Sequence, residues 1–363
     1  MNYSGKCPLH TMTLMSPTEF WNDSCSVEDL KIAIDNGAVG GTSNPIIVGE
    51  VLKREIDTWR PRIISLIKEN PFATEDEITW KIIEEVTVKA AGLLMPIFES
   101  SNGRVGRLSL QTDARYYRNA KSIVSQAQHF NALYQNNNIK LPVTAAGLEA
   151  IEELTYLGIS VNATISFTLP QAITVAEAVE RGLQRREREG KDISTMSPVC
   201  TIMVGRLDDW LKVQEAKKGI ITEPGYLNWA GVAVAKKAYR LYRERGYRSR
   251  LLIAAFRNHY HWSEFIGAEM SLTIPPDWQR KYNASDVEIR NRIQDEVDPA
   301  IIAELHRKFP DFTRAYEENG MQPEEFEHFG ATRRTLRSFI GSYVELVNLI
   351  RNIMIQDPDV RGE

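Results

Sequence analysis

Asn138-Ile139-Lys140-Leu141-Pro142-Val143-Thr144, with Gly147-Leu148-Glu149-Ala150 just beyond it, is the stretch that decides the fold. The first part is apolar and β-branched and reads as a buried strand; the second opens a helical stretch, Gly147–Leu157. A buried strand leading straight into a helix is the repeating half of a parallel α/β architecture. Lys140 is the exception inside that strand. A charged lysine is costly to desolvate, and burial lowers its pKa, freeing a neutral amine that can condense with a carbonyl. The competing reading is a strand-end lysine whose stem packs while its head reaches water.

Working outward, the same alternation recurs along the chain. Strand candidates are Glu19–Asn22, the run from Val39 to Pro45, Gly106–Thr112, Asn138–Val143, Ser160–Phe167, Pro198–Val204, Arg250–Phe256 and Glu269–Ile274. Helical stretches are Val27–Asn36 behind a Ser26 cap, Ile46–Lys68, Glu75–Phe98 behind a Thr74–Glu77 capping box, Ala114–Tyr134, Leu169–Arg188, Trp229–Arg245 and Tyr260–Ile266. Eight short strands with helices between them predict an α/β fold, a (β/α)8 TIM-type barrel. The alternative, a doubly wound open sheet, lacks a Gly-x-Gly-x-x-Gly after its first strand. Beyond Pro276 the pattern turns to charged helix, Asp277–Phe309 and Pro323–Ile355, joined by the breaker-rich Pro310–Gln322. We therefore expect residues 1–276 to form the barrel and 277–363 to form a C-terminal helical extension packed on it.

Composition narrows the function. The formal net charge is −4 and no basic block is long enough to track a phosphate backbone, which disfavours nucleic-acid binding. Cys7, Cys25 and Cys200 are widely spaced without a CxxC pair, fitting a reducing cytoplasm better than a disulfide framework or zinc site. No basic start precedes an apolar core at the N-terminus, and no apolar run approaches membrane-spanning length, so neither secretion nor a membrane location is expected.

In a barrel of this kind the active site lies at the C-terminal ends of the strands. The polar residues there are Asp23, Thr42 and Asn44, Gln111, Lys140, Asn162 and Thr164, Thr201 and Arg206, Arg257 and Asn258, and Thr273. The set holds one amine, one carboxylate, two guanidiniums and neutral hydrogen-bonding groups. No histidine–carboxylate cluster points to a metal, and no glycine-rich loop points to a nucleotide cofactor. An amine with one acid–base carboxylate is the minimum equipment for imine chemistry, and the arginine fork matches a phosphate or similar oxyanion. Each residue has a structural alternative: Asp23 as a turn residue, Asn44-Pro45 as a strand-to-helix turn, Arg206 paired with Asp208 or Asp209, Arg257 at the surface. Their joint placement favours chemistry. His259 and His261 follow Arg257 and either close the anion site or belong to an aromatic loop packing on the next helix.

From Asp23 to about Pro275 the ordered motifs resemble the transaldolase family. They are Gly41-Thr42-Ser43-Asn44-Pro45, Leu110-Gln111-Thr112-Asp113-Ala114-Arg115, the Lys140 segment, Val161-Asn162-Ala163-Thr164-Ile165-Ser166-Phe167, Val204-Gly205-Arg206-Leu207-Asp208 and Ala255-Phe256-Arg257-Asn258. The resemblance implies a cofactor-free transferase of the pentose phosphate pathway, moving a dihydroxyacetone unit from a ketose phosphate to an aldose phosphate. Lys140 would form the Schiff base and Asp23 would move the C4 hydroxyl proton. Thr164 would hold a water, Gln111 would position it, and Asn44 and Asn162 would orient hydroxyls. Arg206 and Arg257 would grip the phosphate, with Thr42 and Thr201 beside the substrate. Members of the family differ in assembly, and a homo-oligomer is among the arrangements it allows.

Gln111 stands where transaldolases usually carry glutamate and resembles the fructose-6-phosphate aldolase branch; an amide positions water but does not titrate. Met203 replaces an aromatic residue, Thr201 replaces serine, and Ala255 removes a serine hydroxyl near Arg257. Two further readings therefore stand beside the transaldolase: a Schiff-base aldolase releasing free dihydroxyacetone, and a non-catalytic sugar-phosphate binding protein. Chain length and the C-terminal helices favour the transaldolase.

Overall fold

Eight parallel strands make one ring in the computed structural model, which describes residues 5–356 and 358–359. They are β1 (Glu19–Asn22), β2 (Gly40–Thr42), β3 (Arg107–Ser109), β4 (Ile139–Pro142), β5 (Val161–Ser166), β6 (Val199–Met203), β7 (Arg250–Ala254) and β8 (Ser271–Ile274). β1 lies between β2 and β8, and the order continues from β8 down to β4. The ring closes between β3 and β4 through the bridges Leu108–Asn137 and Gln111–Lys140. There the Lys140 amide donates to the Leu110 carbonyl and the Thr112 amide to the Lys140 carbonyl, both at 2.8 Å. The fold is the (β/α)8 barrel that the alternation predicts.

Covered by helices outside and filled by side chains inside, the strands are buried on both faces, and this is why they read as near-continuous apolar runs. Trp21, Val199 and Leu252 pack together as a small cluster of their own. Gly40 faces that indole: a Cβ there would lie 2.7 Å from the Trp21 ring. The strand ends are fixed by capping. Asn44, Thr144 and Thr168 each accept from backbone amides in the first turn of the helix that follows β2, β4 and β5. Each strand terminus is thus tied to its helix, and this holds the strand-end side chains in place.

Several helices differ from the sequence reading. The stretch Ile46–Lys68 is two helices, Pro45–Arg54 and Ile56–Glu69, and Ala114–Tyr134 is a short 3-10 turn, Ala114–Tyr116, then a helix, Ala120–Leu133. The predicted helix Asp277–Phe309 is broken into Pro276–Asn283 and Pro299–Lys308, and the supposed linker contains a helix, Pro310–Tyr316. Proline explains the last three. Its missing N–H costs nothing at the first helical position, so Pro276, Pro299 and Pro310 begin helices, Pro299 inside the expected helix and Pro310 inside the expected breaker-rich linker.

The helix Val204–Lys218 went unrecognised because Val204 extends the β6 pattern and Gly205 reads as a stop. Gly205 is instead required there, since a Cβ would meet the Ala255 carbonyl oxygen at 2.0 Å. The helix Pro8–Met15 precedes the barrel and was also missed. At the other end, the long helix Gly330–Met354 packs against Pro45–Arg54, Glu75–Ser100, Val204–Lys218 and β5.

Candidate active site

A cavity of about 500 Å³ opens at the C-terminal ends of the strands. Seven of the ten residues to which the resemblance gives a role line it: Asp23, Asn44, Lys140, Thr164, Thr201, Arg206 and Arg257. Thr42, Gln111 and Asn162 are buried, outside its lining. A larger cavity of about 810 Å³ lies between the helices Ile56–Glu69 and Glu75–Ser100. Its Arg62 is paired with Glu85 and Glu69, and it is lined by none of the strand-end residues.

Lys140 is only 4% exposed, which sets aside the surface-reaching lysine. Its Nζ donates to the Ser43 carbonyl at 3.4 Å and, among the described residues, to nothing else. Burial lowers its pKa below the ordinary lysine value, and the Asp23 charge opposes that shift. Asp23 moves the other way. Burial raises its pKa, while the Lys140 charge, a hydrogen bond from Thr42 and the Arg206 charge hold it down. Both shifts favour the neutral forms, so the site brings an amine toward its nucleophilic state beside a carboxyl group drawn toward its acid state.

The hydroxyls form a directed chain. Thr42 Oγ1 donates to Asp23 Oδ1 at 2.5 Å and lies 2.5 Å from Thr273 Oγ1. A hydroxyl has one proton, so Thr273 is the donor to Thr42. Asn22, the residue before Asp23, donates to the Ser24 carbonyl at 2.9 Å and accepts from Gln279 at 2.7 Å, fixing the end of β1. Asn162 is held at both ends of its amide, donating to Ser109 at 2.9 Å and accepting from Thr201 at 2.6 Å. The Asn44 carbonyl oxygen caps the next helix at 2.9 and 3.1 Å, so its turn role is real, and the residue still lines the cavity. Gln111 Oε1 is buried with no partner among the described residues.

Two backbone outliers mark the same rim. Ile165, in β5 next to Thr164, has φ 58, within a register shift between Ala163 and Ser166. Ala255, just past β7, has φ 67. A β-branched residue in the left-handed region is strained, and such strain concentrates at functional sites.

The arginines separate. Arg206 pairs with neither Asp208 nor Asp209; its Nε is buried with no hydrogen-bond partner among the described residues, and burial first, then the Arg257 charge, lowers its pKa. The guanidinium stays protonated, with the Asp209 and Asp23 charges partly opposing that shift. Arg257 is held by Asp209 at 2.9 Å and by its neighbour's carbonyl, Phe256 O, at 2.9 Å. His261 does not line the cavity but is wholly buried behind Arg257; His259 also lies outside the cavity lining.

Sequence reasoning missed other residues of the wall, among them Asp29, Glu50, Arg54, Trp278, Lys281 and Phe339. Trp278 and Lys281 were findable, since they lie three apart on the helix that directly follows β8. Phe339 had no local signal: it comes from the C-terminal helix. Among the described residues no cluster of three or more metal-ligating side chains occurs, and no helix is long and apolar enough to cross a membrane.

Comparison with known proteins places the chain in a family. The chain is 32% identical over 206 residues to "Transaldolase 2" of Streptomyces avermitilis, covering 56% of the chain and 55% of that protein. It is 32% identical over 216 residues to the transaldolase of Thiobacillus denitrificans, 59% of each chain, and 30% identical over 240 residues to that of Thermobifida fusca, 62% of each. The chain thus spans roughly half to three fifths of the length of these curated relatives. The family profile described as Transaldolase/Fructose-6-phosphate aldolase matches residues 20–331, past the end of β8 and into the C-terminal helix. The chain belongs to the transaldolase/fructose-6-phosphate aldolase family.

Proposed function

We propose that this protein is a transaldolase that moves a dihydroxyacetone unit from a ketose phosphate to an aldose phosphate through an imine on Lys140. The observation that carries this reading is the buried pair at the barrel mouth: a lysine with lowered pKa and a carboxyl group with raised pKa in one cavity with Arg206, whose Nε has no hydrogen-bond partner among the described residues.

The neutral Lys140 amine adds to the C2 carbonyl of the donor, and loss of water with uptake of one proton from solvent gives the protonated imine. Asp23 takes the C4 hydroxyl proton as the C3–C4 bond breaks, and the electron pair flows into the imine to leave an enamine. The aldose departs, a second aldose enters, the enamine attacks its carbonyl carbon, and Asp23 returns the proton. Hydrolysis of the new imine frees the ketose. Thr42 holds Asp23 in place, Thr164 and Gln111 hold the water for carbinolamine formation and breakdown, and Asn44, Asn162 and Thr201 orient hydroxyls. Arg206 and Arg257 bind the phosphate. In this reading residues 1–276 carry the reacting groups, 277–363 pack on the barrel and add Trp278, Lys281 and Phe339 to the cavity wall, and the enzyme works in a reducing cytoplasm, in keeping with its three free cysteines.

Gln111 supports a second reading, an aldolase that releases dihydroxyacetone, because an amide cannot shuttle the proton a carboxylate would. Fructose 6-phosphate with and without erythrose 4-phosphate separates the two. Acceptor-dependent turnover is expected, and rapid acceptor-independent release of dihydroxyacetone would overturn the transaldolase in favour of the aldolase.

A further inference from the structure

One helical turn supports two of the three arginines that line the cavity, Arg206 and Arg257; the third, Arg54, pairs with Asp29. In the helix Val204–Lys218, Arg206 faces the cavity, Asp209 binds the Arg257 guanidinium, and Asp208 points elsewhere. Asp208 Oδ2 lies 2.9 Å from His261 Nε2, and both side chains are 0% exposed. His261 Nδ1 in turn accepts the backbone N–H of Arg257 at 3.0 Å. Asp208 Oδ1 accepts the Gly231 amide at 2.9 Å.

These contacts fix the tautomer. Nδ1 faces a donor, so it is the acceptor, and the proton of a neutral ring sits on Nε2, aimed at the carboxylate. Asn258 Nδ2 also approaches Nε2, at 3.3 Å. The bond to Asp208 Oδ2, at 2.9 Å, is the shorter of the two.

The segment so held is not regular secondary structure. Ala255 has φ 67, and its carbonyl accepts from Gly205 at 3.1 Å, so β7 ends in a strained turn pressed on the same helix. A Cβ on Gly205 would lie 2.7 Å from Arg257 Cγ. Arg206 and Arg257 repel one another across the cavity, and an arginine on a strained turn moves away from such a neighbour unless its backbone is anchored. Asp209 anchors the guanidinium end. His261 anchors the main chain.

We infer that His261 and Asp208 form a buried positioning dyad that holds Arg257 opposite Arg206, so that the site selects substrates bearing a phosphate or similar oxyanion. The dyad rests on the reading of these arginines as the anion site. It touches no substrate atom, and its contribution is to specificity and not to bond breaking.

Asp208→Asn is the diagnostic variant. It keeps the shape and the acceptor for Gly231 but turns a donor toward Nε2, so the ring must present an N–H toward the Arg257 amide. His261→Phe removes both hydrogen bonds at similar volume. Binding of inorganic phosphate by calorimetry, and KM and kcat for fructose 6-phosphate and for fructose, are measured on wild type and both variants.

In both variants phosphate affinity is expected to fall roughly tenfold and KM for fructose 6-phosphate to rise by about the same factor. The parameters for fructose should change less than about twofold. Equal losses for both donors, unchanged phosphate binding, or failure of both variants to fold would assign the pair a structural role alone and overturn the inference. Phosphate binding needs no turnover. A wild type that binds phosphate through this dyad yet forms no Lys140 adduct therefore sinks the proposed transaldolase while leaving the dyad standing.

Discussion

Thr42 donates its hydroxyl proton to Asp23 Oδ1 at 2.5 Å, across the boundary between β2 and β1. Thr273 on β8 supplies the second bond of the chain, so three neighbouring strands aim one carboxyl group into the cavity. That bond favours the charged carboxylate and opposes the rise that burial causes in its pKa.

Thr42→Val therefore raises the Asp23 pKa further. At a given pH less carboxylate is available to take the C4 proton, and the acid limb of the kcat profile moves to higher pH. The expected loss in kcat at neutral pH is roughly tenfold, with KM little changed. An unshifted acid limb would show that Asp23 does not limit the step.

Asp23→Asn separates imine formation from C–C cleavage. Borohydride with dihydroxyacetone should still label Lys140, detectable by mass, while cleavage of the ketose falls about 10²–10⁴-fold. The Asp23 charge raises the Lys140 pKa in the wild protein. Its loss moves the midpoint of the trapping profile to lower pH. Loss of labelling together with cleavage would place Asp23 in imine formation instead.

Lys140→Met abolishes labelling and turnover and makes the fold more stable. The sign follows from linkage. Lys140 has a depressed pKa, so the folded state holds its proton less tightly than the unfolded chain, and stability rises with pH between the folded and unfolded pKa values. Methionine removes that penalty. We expect a gain of about 1 kcal/mol at neutral pH, shrinking as pH approaches the ordinary lysine value. Thermal unfolding across pH measures it, and a variant less stable than wild type at neutral pH contradicts the burial cost.

Gln111→Glu tests how the enamine is divided between transfer and release. A titratable group beside the Lys140 bridge can move protons through the bound water, and the ratio of transfer product to free dihydroxyacetone is expected to rise several-fold. An unchanged ratio would show that this position does not control the outcome.

Phe339→Ala removes a wall of the cavity contributed by the C-terminal helix, where the ring is 1% exposed. The cavity left behind should destabilise the protein by about 3 kcal/mol and raise KM for the sugar phosphates. Chemical denaturation and steady-state kinetics report the two effects. A KM unchanged in the folded variant would confine Phe339 to packing.

Much of this was legible from residue order. Lys140, Asn162 and Thr164 sit in strands whose apolar flanks give a clear pattern, and the repeat of such strands with helices identifies the barrel. Helix boundaries were harder where proline begins a helix, as at Pro299 and Pro310, since the same residue also ends them. The helix Val204–Lys218 was hidden because its glycine answers to a carbonyl fifty residues away, Ala255 O, and not to local turn chemistry.

The sequence by itself determined the barrel, the strand-end set and the lysine, because burial period and strand-end position are properties of neighbours along the chain. Only the tertiary structure decided which aspartate serves which partner: Asp209 for Arg257, Asp208 for His261, and neither for Arg206. Adjacent carboxylates look alike in a sequence, and their partners lie beyond the end of β7, 48 and 53 residues further along the chain. It also brought Phe339 to the cavity wall, from a helix that reaches the barrel mouth by packing across Pro45–Arg54 and β5. Long-range packing, unlike periodicity, leaves no mark on the residues beside it.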